Sequence, residues 1–133
     1  MVVTQKSLAE AIDVIEETYE FSLAYAAQGR RGEEEDPGAG IRERLARAEV
    51  ALGVVVSATL DAIPAAGAHA VAAKEFLDII KTDAARARAA FRFVLAQPSI
   101  GSQIIDNLNA TTHIRTLLTD LFLLDEAVKV SGI

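Results

Sequence analysis

Two histidines are the side chains best suited to move a proton near neutral pH. His69 falls at helical spacing with Ala73, Phe76 and Ile80. That places it among apolar neighbours, where a histidine needs one hydrogen-bond partner and could face a ligand cavity. His113 shares a polar face with Asp106, Asn109, Thr116 and Asp120. Such a face suits a solvated or capping residue, or an acid/base or phospho-accepting one. His69 and His113 are therefore the candidate ligand-binding residues of this chain. No residue stands out as catalytic.

The carboxylates are more numerous and less specific. Glu10, Asp13, Glu17 and Glu20 share one face of the first predicted helix, with Glu16 beside them. Di-iron bundles place carboxylates on helices in this way but add Glu-x-x-His pairs, and the sequence contains none. A solvated acidic face is expected, with no metal and no cofactor. Arg86, Arg88 and Arg92, preceded by Lys81, form a basic side later in the chain. Pairing with the acidic first helix is the expectation. The chain has no glycine-rich phosphate loop, no Gly-x-Ser-x-Gly elbow and no clustered Ser/His/Asp set.

Two short strings resemble known motifs and then depart from them. Thr112-His113-Ile114-Arg115-Thr116-Leu117 resembles the phospho-acceptor box of sensor histidine kinases, but one residue is missing after the histidine and no proline follows. Thr4-Gln5-Lys6-Ser7-Leu8-Ala9 resembles the opening of the second helix in helix-turn-helix repressors. The glycine turn that should follow is replaced by Asp13-Val14-Ile15-Glu16-Glu17, which continues the helix.

Composition narrows the class. Of 133 residues, 51% are hydrophobic but 5% aromatic, with no Trp and one Met. Ala, Val, Leu and Ile suit closely approaching helices better than a pocket walled by rings, and few aromatics argue against base-stacking platforms. A net charge of −6 repels a phosphate backbone, so no nucleic-acid partner is expected. Absence of cysteine excludes disulfides and thiolate metal sites and fits a reducing compartment. The longest uncharged apolar run, 50–60, holds 11 residues, against about 20 for a membrane helix. Lys6, Glu10 and Asp13 interrupt any leader-like apolar stretch. A cytoplasmic protein without membrane contact is the expectation.

The elements that would position these residues are helices. Ser7 with Glu10 forms a capping-box pattern opening a helix over 7–28, striped by Leu8, Ile12, Ile15, Tyr19, Leu23 and Ala26 and ended by Gly29. Residues 29–40, with four glycines, a proline and a charge run, bury too little apolar surface to offset ordering entropy and read as a flexible acidic loop. A second helix over 41–63 carries Ile41, Leu45, Ala48, Leu52, Val55 and Ala62, tolerates Gly53 through close approach of a neighbouring backbone, and ends at Pro64. A third spans 66–81, with Ala72, Phe76 and Ile79 or Ile80 inward. A fourth, over 83–96, starts from a cap at Thr82 or Asp83. Beyond Pro98, residues 99–130 form either two helices or one. Their last part is the clearest stripe in the chain, with Ile114, Leu117, Leu121, Leu124 and Val128 spaced by three and four.

The pattern predicts an all-α fold: one domain over 1–133, a compact bundle of four to six helices, mainly antiparallel. Val14, Phe21, Leu121, Phe122, Leu123 and Leu124 exceed the apolar surface that a small monomer easily covers, and such patches mark interfaces. The expected function is a non-catalytic, self-associating interaction module, structural, adaptor or chaperone-like. Its partner is a second copy in a homodimer, with an amphipathic helix of a client protein as a further partner. The alternative is a small-molecule sensor or enzyme with an inter-helix cavity at His69 or His113.

Overall fold

The computed structural model describes residues 2–63 and 70–131, with side chains as far as residue 127. Five α-helices pack against one another: α1 (Gln5–Ala26), α2 (Ile41–Val56), α3 (Ala70–Leu95), α4 (Ser102–Ala110) and α5 (His113–Ser131). There is no strand among the described residues. This is the helical bundle that the periodicity predicts. None of its helices, among the described residues, is long and apolar enough to cross a membrane.

α1, α2 and α3 run up, down and up, each packed on the next. The arm that closes the ring is broken into α4 and α5. Named contacts fix the directions. Arg42 at the start of α2 donates to the carbonyls of Leu95 and Gln97 at the end of α3. Ser102 at the start of α4 donates to the carbonyl of Tyr25 and Asn109 near its end to that of Ser22, so α4 runs back along α1.

The long helices bury alternations of three and four, to which α2 adds Ala51. On α1 these are Leu8, Ala11, Ile15, Thr18, Ser22 and Tyr25; on α2 Ile41, Leu45, Ala48, Leu52 and Val55; on α3 Leu77, Ile80, Ala84, Ala87, Phe91 and Val94. That is a seven-residue repeat, which keeps one seam facing its neighbour as helices coil around each other. Ala48, Ala84 and Ala87 are fully buried and let α2 and α3 approach closely.

Several boundaries differ from expectation, each for a local reason. α1 begins two residues earlier, because Thr4 is the cap: its hydroxyl accepts from the Ser7 N–H, and Ser7 Oγ accepts from the Thr4 N–H. Glu10 takes no part. The α1 stripe is also rotated, with Thr18 and Ser22 inside and Leu23 48% exposed. Thr18 hides its polarity by donating to the Val14 carbonyl. Gly29, with φ 66°, turns the chain beyond the helix rather than ending it.

α2 stops at Val56, where Gly53 and three consecutive valines lower helix propensity. A single 3-10 turn follows at Leu60–Ala62. Pro64, as terminator, and the start of the third helix lie outside the described residues. The expected break at 82 does not occur: Thr82 donates back to the Asp78 carbonyl, Asp83 pairs with Arg86, and α3 runs straight through. Of the residues expected inward on its first half, Ile80 is buried and Phe76 half-buried, whereas Ala72 and Ile79 face outward. The last segment is two helices, broken at Thr112, which holds φ 61°.

The acidic segment 29–40 is largely exposed, as its composition predicts, but it is anchored. Its backbone is tied to the 97–102 connection: Arg30 N–H donates to Ser102 Oγ, Ser102 N–H to the Arg30 carbonyl, and Glu33 N–H to Ser99 Oγ. Gly101 lies so close that a Cβ there would come within 2.7 Å of the Arg31 carbonyl.

Candidate functional site

Geometry separates the residues that sequence had grouped. His69 lies outside the described residues. His113 is the first residue of α5 and half-buried. The break at Thr112 separates it from Asn109, whose amide is committed to Ser22, and Asp120 is occupied elsewhere. No hydrogen bond among the described residues joins the His113 ring to a carboxylate.

The acidic face of α1 is solvated as expected, with Glu10, Asp13, Glu17 and Glu20 exposed and Glu16 half-buried. No group of three His, Asp or Glu among the described residues could hold a metal ion. The arginines do not reach α1. Arg88 and Arg92 both donate through Nε to one oxygen of Glu49 on α2, at 2.7 Å each. Burial pushes the Glu49 carboxyl up, but these two bonds outweigh it and hold the group below its usual range. Gly53 is explained by the same cluster: a Cβ there would meet the Arg88 guanidinium at 2.9 Å. The close neighbour is therefore a side chain and not a backbone.

Two polar clusters could not be seen in the sequence, since each joins distant segments. One is a latch at the end of the bundle. Glu33 accepts from Arg42 Nε and Nη2 and from the Ile100 N–H. The Arg42 bonds hold its carboxyl below the ordinary range. Tyr25 closes the latch from inside, donating to the Ile100 carbonyl at 2.6 Å, while Arg30 stacks on its ring. Open grooves of about 600 and 820 Å³ flank this latch, too shallow to enclose a substrate.

The other cluster pairs Asp120 of α5 with Asp83 of α3. Asp120 turns Oδ2 into a buried position where it meets no donor, close enough to Asp83 for each carboxyl to feel the other's charge. Neighbouring carboxylates withdrawn from water resist ionising together. Burial, then the Asp83 hydrogen bond, then the Asp83 charge push Asp120 up to about 7. Asp83 also accepts from Arg86, which favours leaving the proton on Asp120.

The predicted interface residues divide. Leu121 is 4% exposed and belongs to the chain's own core. Val14 and Phe21 pack against that core as well. Phe21 is covered by Tyr25, its ring centroid 6.1 Å away, and by the Arg44 guanidinium at 4.3 Å. Val14 and Phe21 are thus partly covered by their own chain. Leu124 is half-buried, whereas Phe122 and Leu123 are 51% and 60% exposed. Sequence reasoning missed Phe93, Val71 and Ile79 on the outer side of α3, at 69%, 74% and 54%. Their signal was apolar character off the seven-residue stripe.

No protein-family model matches the chain, and no curated protein and no solved structure matches it either.

Proposed function

We propose that this protein is a non-catalytic helical interaction module that associates with itself, most simply as a dimer. The observation that carries the reading is the set of large apolar side chains facing solvent on α3 and α5: Val71, Ile79 and Phe93, with Phe122 and Leu123. Core positions on both helices are already filled, so these side chains contribute nothing to the monomer's interior. Outward phenylalanines gain free energy when a partner surface removes them from water. The ligand-sensing alternative draws no support from His113, and the enclosed void beside it, between Tyr19, Ser22, Phe91, Leu108 and Ile114, measures about 10 Å³. That holds one water and no metabolite.

Size-exclusion chromatography with light scattering tests the proposal. The expected species is a multiple of 14.1 kDa, and Phe93→Ser combined with Leu123→Ser shifts it toward the monomer while the helical circular dichroism signal is kept. A wild-type protein that stays at 14.1 kDa through high micromolar concentrations overturns the reading.

A further inference from the structure

α5 lies mainly against α3 and touches α1 sparingly beyond the stretch that α4 covers. Between the first turns of α1, the 3-10 turn at Leu60–Ala62 and the later turns of α5 this leaves an apolar groove of about 160 Å³. Leu8, Ala9, Ile12, Ile63, Leu121 and Leu124 line it, with Asp125 at its edge. Phe122 lies three residues before Asp125, hence on the same side of the helix, and is 51% exposed. The volume is too small for a metabolite and fits one large apolar side chain.

The charge around the groove is predominantly negative. In the segments that build it, residues 5–16, 60–63 and 121–126, Lys6 stands against Glu10, Asp13, Glu16, Asp61, Asp125 and Glu126. Asp13 and Glu16 flank Ile12 on α1, and Asp61 adjoins Ala62. None of Asp13, Glu16 and Asp61 forms an ion pair among the described residues. An apolar slot with an acidic margin is complementary to a helix that offers one large apolar anchor between cationic neighbours.

We propose that this α1–α5 groove is a docking site for a cationic amphipathic helix, which inserts a single Leu, Met or Phe between Ile12 and Leu124 while its Lys or Arg residues face the acidic margin. The groove's lining, given by Leu8, Ala9, Ile12, Ile63, Leu121 and Leu124, includes none of the side chains invoked for self-association; Phe122 stands between the two surfaces, whereas Phe93 on α3 belongs to self-association alone.

The probe is a fluorescein-labelled helical peptide of fourteen residues built from Leu and Lys, titrated into the full-length protein and followed by anisotropy. Saturable 1:1 binding that weakens severalfold between low and high salt is expected. Ala9→Arg is the decisive variant. Ala9 is exposed, so the substitution removes no core contact, yet it places bulk and positive charge in the groove mouth. A loss of at least about tenfold in affinity is expected, with Tm unchanged. Methyl shifts of Ile12, Leu121 and Leu124 on peptide addition are the second readout.

Equal binding by wild type and Ala9→Arg, equal binding of a peptide with Glu in place of Lys, or no binding at all overturns the proposal. So does a peptide that binds only by splitting an oligomer, seen by light scattering, because the groove would then belong to a second copy. Phe93→Ser serves as the control that separates the two surfaces: it leaves peptide affinity unchanged whatever it does to self-association.

Discussion

Asp120 carries the most consequential titration among the described residues. Its folded-state value, about 7, lies above the ordinary 3.8 of an aspartate. Between those values the folded protein keeps a proton that the unfolded chain has released. The contribution is therefore fully present below about pH 4 and is lost as pH rises toward 7, at no more than about 1.4 kcal/mol per pH unit. Glu33 and Glu49, held below their usual range, act in the opposite sense and in a lower window, losing their contribution as pH falls beneath 4.5. Urea unfolding at pH 5 and pH 7 separates the two. Wild type should lose stability over that interval, and Asp120→Asn, which keeps the shape and cannot ionise, should change much less. Parallel pH profiles for the two proteins would show that the carboxyls do not share a proton. Nothing in the sequence announced this pair, because Asp83 reads as a helix cap and Asp120 as part of a polar face. Only the packing of α3 on α5 brings them together.

At the scale of elements, the strain is concentrated at one joint. Thr112 is a β-branched residue held at φ 61°, a region that costs such residues roughly 1–2 kcal/mol. It stays there because α4 is fixed to α1 through Asn109 and Ser22 while α5 is fixed to α3. Thr112→Gly relieves the strain but gives the unfolded chain more freedom, so a net gain of about 0.5–1 kcal/mol is expected. A rise of about 2–5 °C in Tm by calorimetry is the corresponding outcome; an unchanged or lower Tm would mean the threonine side chain supports the joint. The break itself was half legible: Asn107-Leu108-Asn109-Ala110-Thr111-Thr112 is poor helix, which leaves a kink and a continuous helix both open. By contrast, the α5 stripe was legible as far as it is described: Ile114, Leu117 and Leu121 are buried and Leu124 half-buried, while the side chain of Val128 lies outside the described residues. The α1 stripe was misread by a fraction of a turn because two of its core positions are Thr18 and Ser22, and polar residues conceal a seven-residue repeat from any count of apolar spacing. Helix α3 was divided because Lys81-Thr82-Asp83 looks like a cap, whereas its hydroxyl bonds back to the helix.

For the whole molecule, fold class was legible and the distribution of surface was not. Helical periodicity established the bundle, but which side of each helix faces water depends on neighbours that no single segment encodes. Val14 and Phe21 are partly covered from within by Tyr25, Arg44 and the core, while Phe93, Val71 and Ile79 remain outside. The proposed association through these outward side chains would link stability to concentration, since a partner that binds only the folded state stabilises it by mass action. Tm measured by circular dichroism should accordingly rise with protein concentration in wild type and become independent of it in the combined Phe93→Ser and Leu123→Ser variant. A concentration-independent Tm in both would remove the support for self-association.

The recurrence of buried positions on α1, α2 and α3 has a consequence for design. Because every seventh residue returns to the same seam, a block of seven inserted at matched levels of these helices keeps their inward positions inward and changes how tall the scaffold stands. An insertion of one or two residues instead rotates the rest of a helix outward by roughly 100–200°. A designer lengthening this scaffold should therefore work in matched blocks, with a compensating extension of the arm that Thr112 divides.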